Sequence, residues 1–337
     1  MNAHCPTYSF SLRSVHDGCK LQCRLYLPGG VGNIDTAQSW PVRGVILAHP
    51  YAPLGGTYDD AVISFLGGEL LNQGYVVGTF NFRGAAPSEG RSSWTGRPEL
   101  GDYVAFYGFM LQYLHRVKVA LLQKLPSDPD HAPSPTASAD RIHLIVGGYS
   151  FGSLIASHVP TLDVVIDLFR TGATTPDTPI YDIGRKARKI AAATIRDLGP
   201  ANPEESGNPD NPDRIELSAE TTISYLLVSP LRPPVSQLLT GFCSLSLNVG
   251  GKSAPALARA AVRPADQLSA HPTLALYGNR DEFTSVHKLR RWSADLGHVP
   301  QSRFQSGEVE GAGHFWREEG AAEEAKRILR EWLRRGL

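Results

Sequence analysis

The sequence predicts an α/β fold, with a mostly parallel central sheet, helices on both faces and an inserted segment. Short apolar runs at residues 44–48, 75–80, 142–146, 223–228 and 273–277 have the length of strands but lack clean polar alternation. That is the pattern of strands buried on both sides. Helical spacings of apolar residues lie between several of these runs, which makes βαβ units and hence a parallel sheet. Between residues 161 and 220 the rhythm weakens, as it does where a segment is inserted into a regular fold.

Residues 7–14 and 20–27 read as short strands, and the turn between them carries Asp17-Gly18, a common hairpin signal. The run 44–48 ends in His49-Pro50-Tyr51-Ala52-Pro53-Leu54-Gly55-Gly56, a loop dense in Gly and Pro. A helix is expected over 59–72, a buried strand over 75–80 closing on Asn81-Phe82-Arg83-Gly84, and a long apolar helix over 100–125. Pro, Ser and Asp mark 126–139 as a loop. The strand 142–146 runs into Gly147-Gly148-Tyr149-Ser150-Phe151-Gly152, and a helix can continue over 151–158. In the irregular stretch one basic helix is expected, near 183–196. Strands at 223–228, 273–277 and 304–309, a helix around 285–296 and a closing helix near 317–334 complete the pattern. The chain divides into a first core part, 1–160, an inserted lid, 161–220, and a second core part, 221–337.

Bulk properties narrow the function. The 337 residues include 33 basic and 33 acidic side chains. A protein that grips nucleic acid by neutralising phosphates shows a basic excess, so no nucleic-acid partner is expected. No run of about 18 apolar residues occurs, so no membrane span is expected. The first ten residues lack the basic and apolar regions of a secretory signal, which makes the cytoplasm the default. Cys5, Cys19, Cys23 and Cys243 show no zinc spacing and read as free thiols.

The segment Gly148-Tyr149-Ser150-Phe151-Gly152 matches G-x-S-x-G. The pattern has a physical basis. A serine on a very sharp strand-to-helix turn needs small residues two before and two after it, because side chains there would crowd the turn. The helix that follows points free N–H groups at the serine and favours developing negative charge. Chance matches to five residues occur in long chains, and a plain glycine-rich βα turn would look similar. The preceding strand and following helical pattern supply the context that the motif requires.

This strand, elbow and helix resemble the α/β-hydrolase superfamily over about residues 42–336, apart from the insertion. The stretches His49-Pro50 to Gly55-Gly56 and Asn81-Phe82-Arg83-Gly84 to Ser88-Glu89-Gly90 are similar to small serine-hydrolase-like members. The resemblance implies the chain order serine, acid, histidine. Ser150 is then the nucleophile. Asp281 follows the strand 273–277, at the end where open parallel sheets meet ligands. Glu282 is its local rival, and a helix N-cap is its structural alternative. His314, in Gly311-Ala312-Gly313-His314-Phe315, lies just before the last helix; His271, His287 and His298 flank strands or helices instead.

A tetrahedral intermediate needs two aimed N–H donors. The resemblance places one at the backbone of Phe151 and the other in the loop after 44–48. Here the sequence departs from the superfamily's common His-Gly pair: His49 is followed by Pro50, which has no N–H. The expected donor therefore moves to Tyr51. His49 and Tyr149 are expected to contact substrate; His49-Pro50 also reads as a structural turn whose histidine bonds nearby backbone, and the two readings can coexist. Arg83-Gly84 reads as a structural turn, and Arg185, Lys186, Arg188 and Lys189 as a solvated lid face or a contact for an acidic substrate group.

The resemblance implies a serine hydrolase of carboxylic esters or thioesters, with a small-molecule acyl substrate and no metal or organic cofactor. Acyl transfer, cyclase or lyase chemistry and an idle binding protein are the alternatives. An intact Ser, Asp and His set disfavours the last, and serine at position 150 disfavours dehalogenase and epoxide hydrolase chemistry.

Overall fold

The computed structural model describes residues 5–29, 40–123, 141–171, 175–197, 221–241, 245, 247, 249 and 263–335. Among the described residues eight strands form a single sheet: β1 (Tyr8–Arg13), β2 (Lys20–Tyr26), β3 (Arg43–Ala48), β4 (Val76–Phe80), β5 (Ile142–Tyr149), β6 (Thr221–Val228), β7 (Thr273–Gly278) and β8 (Phe304–Val309). Their spatial order is β1-β2-β4-β3-β5-β6-β7-β8. The hairpin β1–β2 pairs antiparallel with itself and with β4, and β3 to β8 are all parallel.

The helices are α1 (Ala61–Asn72), α2 (Arg97–Gln123), α3 (Phe151–Ala156), α4 (Leu162–Thr171), α5 (Pro179–Asp197), α6 (Val235–Leu239), α7 (Pro264–Ala270), α8 (Val286–Gly297) and α9 (Ala321–Arg334). Asp60 sets the start of α1, its Oδ1 accepting the Val62 N–H at 2.8 Å.

Successive strand residues point to opposite faces, so a strand buried on both sides supplies two cores at once. Ile46, Ala48, Leu144, Val146, Tyr225 and Leu227 enter one core, together with side chains of α2, α4 and α5. Their neighbours Val45, Leu47, Ile145, Leu226 and Val228 enter the other, with α1 and α9. This is why the apolar runs show no alternation in the sequence.

The expected insertion is less separate than its sequence suggests. Its described residues hold two helices rather than one, α4 and α5. Val165, Leu168 and Phe169 of α4 and Ile180, Ile183, Ala187, Ile190 and Ala191 of α5 belong to the same core as α2. The two helices are fastened to α2, and α5 also to β1, at the edge of the sheet. On α5, Arg185, Arg188 and Lys189 are exposed, and Arg185 pairs with Asp182 at 3.6 Å. Residues 172–174 and 198–220 of the expected insertion lie outside the described residues. So do the loop expected at 126–139 and Cys243; Cys5, Cys19 and Cys23 are free thiols.

Three loops at the C-terminal ends of parallel strands meet on one rim of the sheet. They follow β5, β7 and β8 and carry Ser150, Asp281 and His314. Among the described residues no helix is long and apolar enough to cross a membrane.

Candidate active site

β5 continues to Tyr149, three residues beyond the expected strand, and the chain turns at Ser150 without an intervening residue before α3. Ser150 has φ 55° and ψ −115°, a conformation that L residues adopt only when the surroundings impose it. Those surroundings are identifiable. The Ser150 N–H donates to Val228 O at 2.8 Å, and Ser150 O accepts from Ser153 Oγ at 2.7 Å and from the Leu154 N–H at 3.1 Å. A Cβ on Gly148 would lie 2.5 Å from the carbonyl carbon of Gly152, and one on Gly152 would lie 2.2 Å from Ala48 O. The two glycines are required because α3 folds back against β5 and the end of β3.

His314 Nε2 lies 2.8 Å from Ser150 Oγ, and His314 Nδ1 lies 2.7 Å from Asp281 Oδ2. All three residues are buried. Asp281 Oδ1 accepts the N–H groups of Phe283 and Thr284 at 2.9 and 2.8 Å, so the carboxylate cannot rotate without losing both. An ionised carboxylate only accepts. His314 therefore carries its proton on Nδ1, and Nε2 is left to accept from the Ser150 hydroxyl. Asp281 does not cap the helix that follows, whose N-cap is Ser285; its Oδ1 instead closes the turn before it, and Oδ2 is left for the histidine.

Glu282, the local rival for the acid, holds the backbone of the same histidine: its Oε2 accepts the His314 N–H at 2.8 Å. Glu318 Oε2 accepts the neighbouring Gly313 N–H at 3.1 Å. The phenol of Tyr149 donates to His314 O at 2.8 Å, and its ring is 2% exposed. Tyr149 is thus a brace beneath the histidine, not the substrate contact expected from the sequence. Burial pushes its phenol pKa upward. The ring of Phe283 packs on the imidazole with centroids 4.4 Å apart, and Phe315 meets its edge at 5.5 Å.

His49 likewise differs from the expected substrate contact. It is completely buried. Its Nδ1 lies 2.6 Å from Pro50 O and its Nε2 2.9 Å from the Phe82 N–H, so the proton sits on Nδ1 and Nε2 accepts. Both ring nitrogens are spent on backbone. Burial lowers the pKa to about 4, so the ring stays neutral and keeps its acceptor. His49 thereby ties the loop after β3 to the end of β4. Next to it, Tyr51 O accepts from Leu54 and Gly56, and a Cβ on Gly56 would lie 2.2 Å from Pro50 O. This folded loop sets the Tyr51 ring 5.1 Å from the ring of Phe151, centroid to centroid. The rings of the two residues expected to supply the oxyanion donors thus pack against each other beside the elbow.

Arg83 is structural. Its guanidinium reaches Asp102 Oδ1 at 2.6 Å and Asp17 Oδ2 at 2.9 Å, and its side chain is 7% exposed. Among the described residues no group of three or more His, Cys, Asp or Glu side chains is arranged to hold a metal ion.

The sequence reading missed the bracing of His314 by Glu282, Glu318 and Tyr149. Its only trace was the adjacency Asp281-Glu282. Nothing local marks Tyr149 or Glu318 as partners of a loop 165 residues away or five residues back.

No protein-family model matches the chain, and no curated protein matches it in sequence. Solved structures do match. A thermophilic esterase from the Planctomycetes species Thermogutta terrifontis, with propionate bound, superposes with a TM-score of 0.50 at 14% identity, covering 99% of this chain and 96% of that one. An alpha-beta serine hydrolase homologue from Coxiella burnetii aligns at 18% identity with a TM-score of 0.47, over 99% of both chains. A serine hydrolase without lid from Xanthomonas campestris aligns at 16% identity with a TM-score of 0.48, over 99% and 97%. At such identities the likeness speaks to the fold alone.

Proposed function

From the α/β-hydrolase fold of this chain, we propose that it is a serine hydrolase cleaving a carboxylic ester or thioester through an acyl-enzyme at Ser150. The observation that carries the reading is the unbroken line Asp281 Oδ2, His314 Nδ1, His314 Nε2, Ser150 Oγ, with contacts of 2.7 and 2.8 Å. A serine hydroxyl is a poor nucleophile unless a base takes its proton, and the tautomer fixed by Asp281 leaves Nε2 free to do so. Ser150 Oγ attacks the acyl carbon as Nε2 takes the proton. The resulting imidazolium is stabilised by the adjacent carboxylate, which stays ionised. The oxyanion is assigned to the N–H groups of Phe151 and Tyr51. The first opens a helix, where unpaired donors gather, and the loop of the second is held by His49. Collapse expels the alcohol or thiol, protonated by Nε2. Water activated by the same nitrogen then releases the acid and frees Ser150.

Intact-mass measurement tests the reading. Wild-type protein exposed to a fluorophosphonate should gain one phosphonyl adduct, and a panel of acyl esters and thioesters should be turned over. Ser150→Ala should keep its fold and lose both. Labelling of the variant at the wild-type rate would overturn the assignment. Turnover only when an alcohol or amine acceptor is supplied would move the reading to acyl transfer.

A further inference from the structure

The polar atoms of His314 are each held by a protein group. Nε2 meets Ser150, Nδ1 meets Asp281, the carbonyl accepts from Tyr149 at 2.8 Å, and the peptide N–H donates to Glu282 at 2.8 Å. Two consecutive residues thus grip one histidine: Asp281 holds its ring and Glu282 holds its backbone. We propose that Glu282 is a positioning residue of the reaction, which sets where the imidazole stands between nucleophile and leaving group by anchoring the His314 peptide; this rests on the serine-hydrolase reading above.

The physical argument has three parts. The histidine stands in a loop without regular secondary structure, which is tied to the loop after β7 by the Arg280 N–H on Ala312 O at 2.9 Å, by the Gly311 N–H on Asn279 Oδ1 at 2.8 Å and by the Glu282 bond itself. Gly311 has φ 76°, and residues 310–314 form no helix or strand with their neighbours. A ring at the end of such a loop inherits every displacement of its peptide. Second, the bond runs from an N–H to a carboxylate, one of the stronger kinds of hydrogen bond. It lies beside a second such bond, from the Gly313 N–H to Glu318 at 3.1 Å. Third, the two carboxylates close tightly around residue 313. A Cβ there would stand 3.0 Å from Glu282 Oε1 and 3.0 Å from Glu318 Oε1, so a side chain larger than hydrogen would crowd both carboxylates. Glu282 itself is solvent-exposed. It therefore adds little to the core, and its removal should leave the fold in place.

During turnover Nε2 must first take a proton from Ser150 and then give it to the leaving group. Both transfers need heavy atoms about 2.6–3.2 Å apart, and a misplacement of about 1 Å can cost on the order of 100-fold. Loss of the peptide anchor should therefore appear in kcat, not in substrate binding.

The test compares Glu282→Ala, Glu282→Gln and Ser150→Ala in the full chain, with an activated acyl ester and with active sites counted by fluorophosphonate incorporation. Glu282→Ala should lower kcat per active site by about tenfold or more with KM within about twofold, because an orientation effect acts on the chemical step. Glu282→Gln keeps an oxygen that accepts the N–H and should recover most of the loss. Unchanged kcat in Glu282→Ala would overturn the proposal. So would a Glu282→Gln variant as slow as the alanine, since the effect would then belong to charge and not to the anchor. Counting labelled sites removes any unfolded fraction from the comparison. Ser150→Ala separates the two levels of the argument: if it still turns over ester, the reading of the site fails. If it is silent while Glu282→Ala is fully active, only the role of Glu282 fails.

Discussion

Asp281→Asn is the most discriminating single substitution. Asp281 Oδ1 receives two backbone N–H groups, from Phe283 and Thr284, while Oδ2 faces His314 Nδ1. An asparagine has one oxygen and one NH₂ for these two places. Turning the NH₂ toward Phe283 and Thr284 would set donors against donors at under 3 Å, so the oxygen must take that side. The NH₂ then faces Nδ1 and forces it to become an acceptor, which moves the ring proton to Nε2. Nε2 can no longer take the proton of Ser150. The geometry survives and the chemistry does not. The expected loss in kcat is on the order of 10⁴, or about 5 kcal/mol of transition-state stabilisation. The assay is kcat on an activated ester, with circular dichroism and urea unfolding to show that the variant folds like the parent. A loss below tenfold would refute the reasoning. So would a structure of the variant in which Glu282 has left the His314 N–H and taken the place beside Nδ1.

Two further outcomes follow from the packing. Gly152→Ala sets a Cβ 2.2 Å from Ala48 O and 2.6 Å from its carbon, both rigid backbone; α3 must separate from β3, which should cost about 1–3 kcal/mol or more by urea unfolding and slow fluorophosphonate labelling of Ser150, and a variant with the parent's midpoint and labelling rate would show that the elbow has room. Stability should also fall with acid. Burial lowers the pKa of His49 to about 4, and that of His143, between Tyr75 OH at 3.0 Å and Ser224 Oγ at 2.8 Å, also to about 4. An unfolded histidine takes its proton near 6.5, so the unfolded state binds more protons between about 6.5 and 4 and stability drops through that window. Each ring contributes on the order of 3 kcal/mol at the lower end. Asp60 and Glu99, whose carboxyls burial pushes upward, oppose the trend at its acid end. Urea midpoints from pH 7.5 to 4 should therefore decline, less steeply in His143→Gln, and a His143→Gln profile with the slope of wild type between about pH 6.5 and 5 would show that this ring is not held neutral.

The two kinds of information can be separated residue by residue. The sheet was legible because burial on both faces leaves apolar runs at 44–48, 142–146 and 273–277 that nothing else explains. The elbow was legible because its steric demands fall within five consecutive residues. The order of Ser150, Asp281 and His314 was legible through the resemblance to the α/β-hydrolase superfamily, and each follows a strand whose end lies on the same rim. What sequence could not decide was the use of side chains whose partners are distant along the chain. Tyr149 and His49 carry polar groups beside the site, so a sequence reading assigns them to substrate. The fold instead turns Tyr149 toward His314 O and His49 toward Pro50 O and the Phe82 N–H. The same holds for 161–220. Its weak pattern reads as an insertion, yet Ile183, Ala187 and Ile190 find α2 and complete the core. A linear pattern reports how much of a residue can be buried. Only the packed chain decides against what, because a buried donor or acceptor takes the partner that the fold brings within about 3 Å of it.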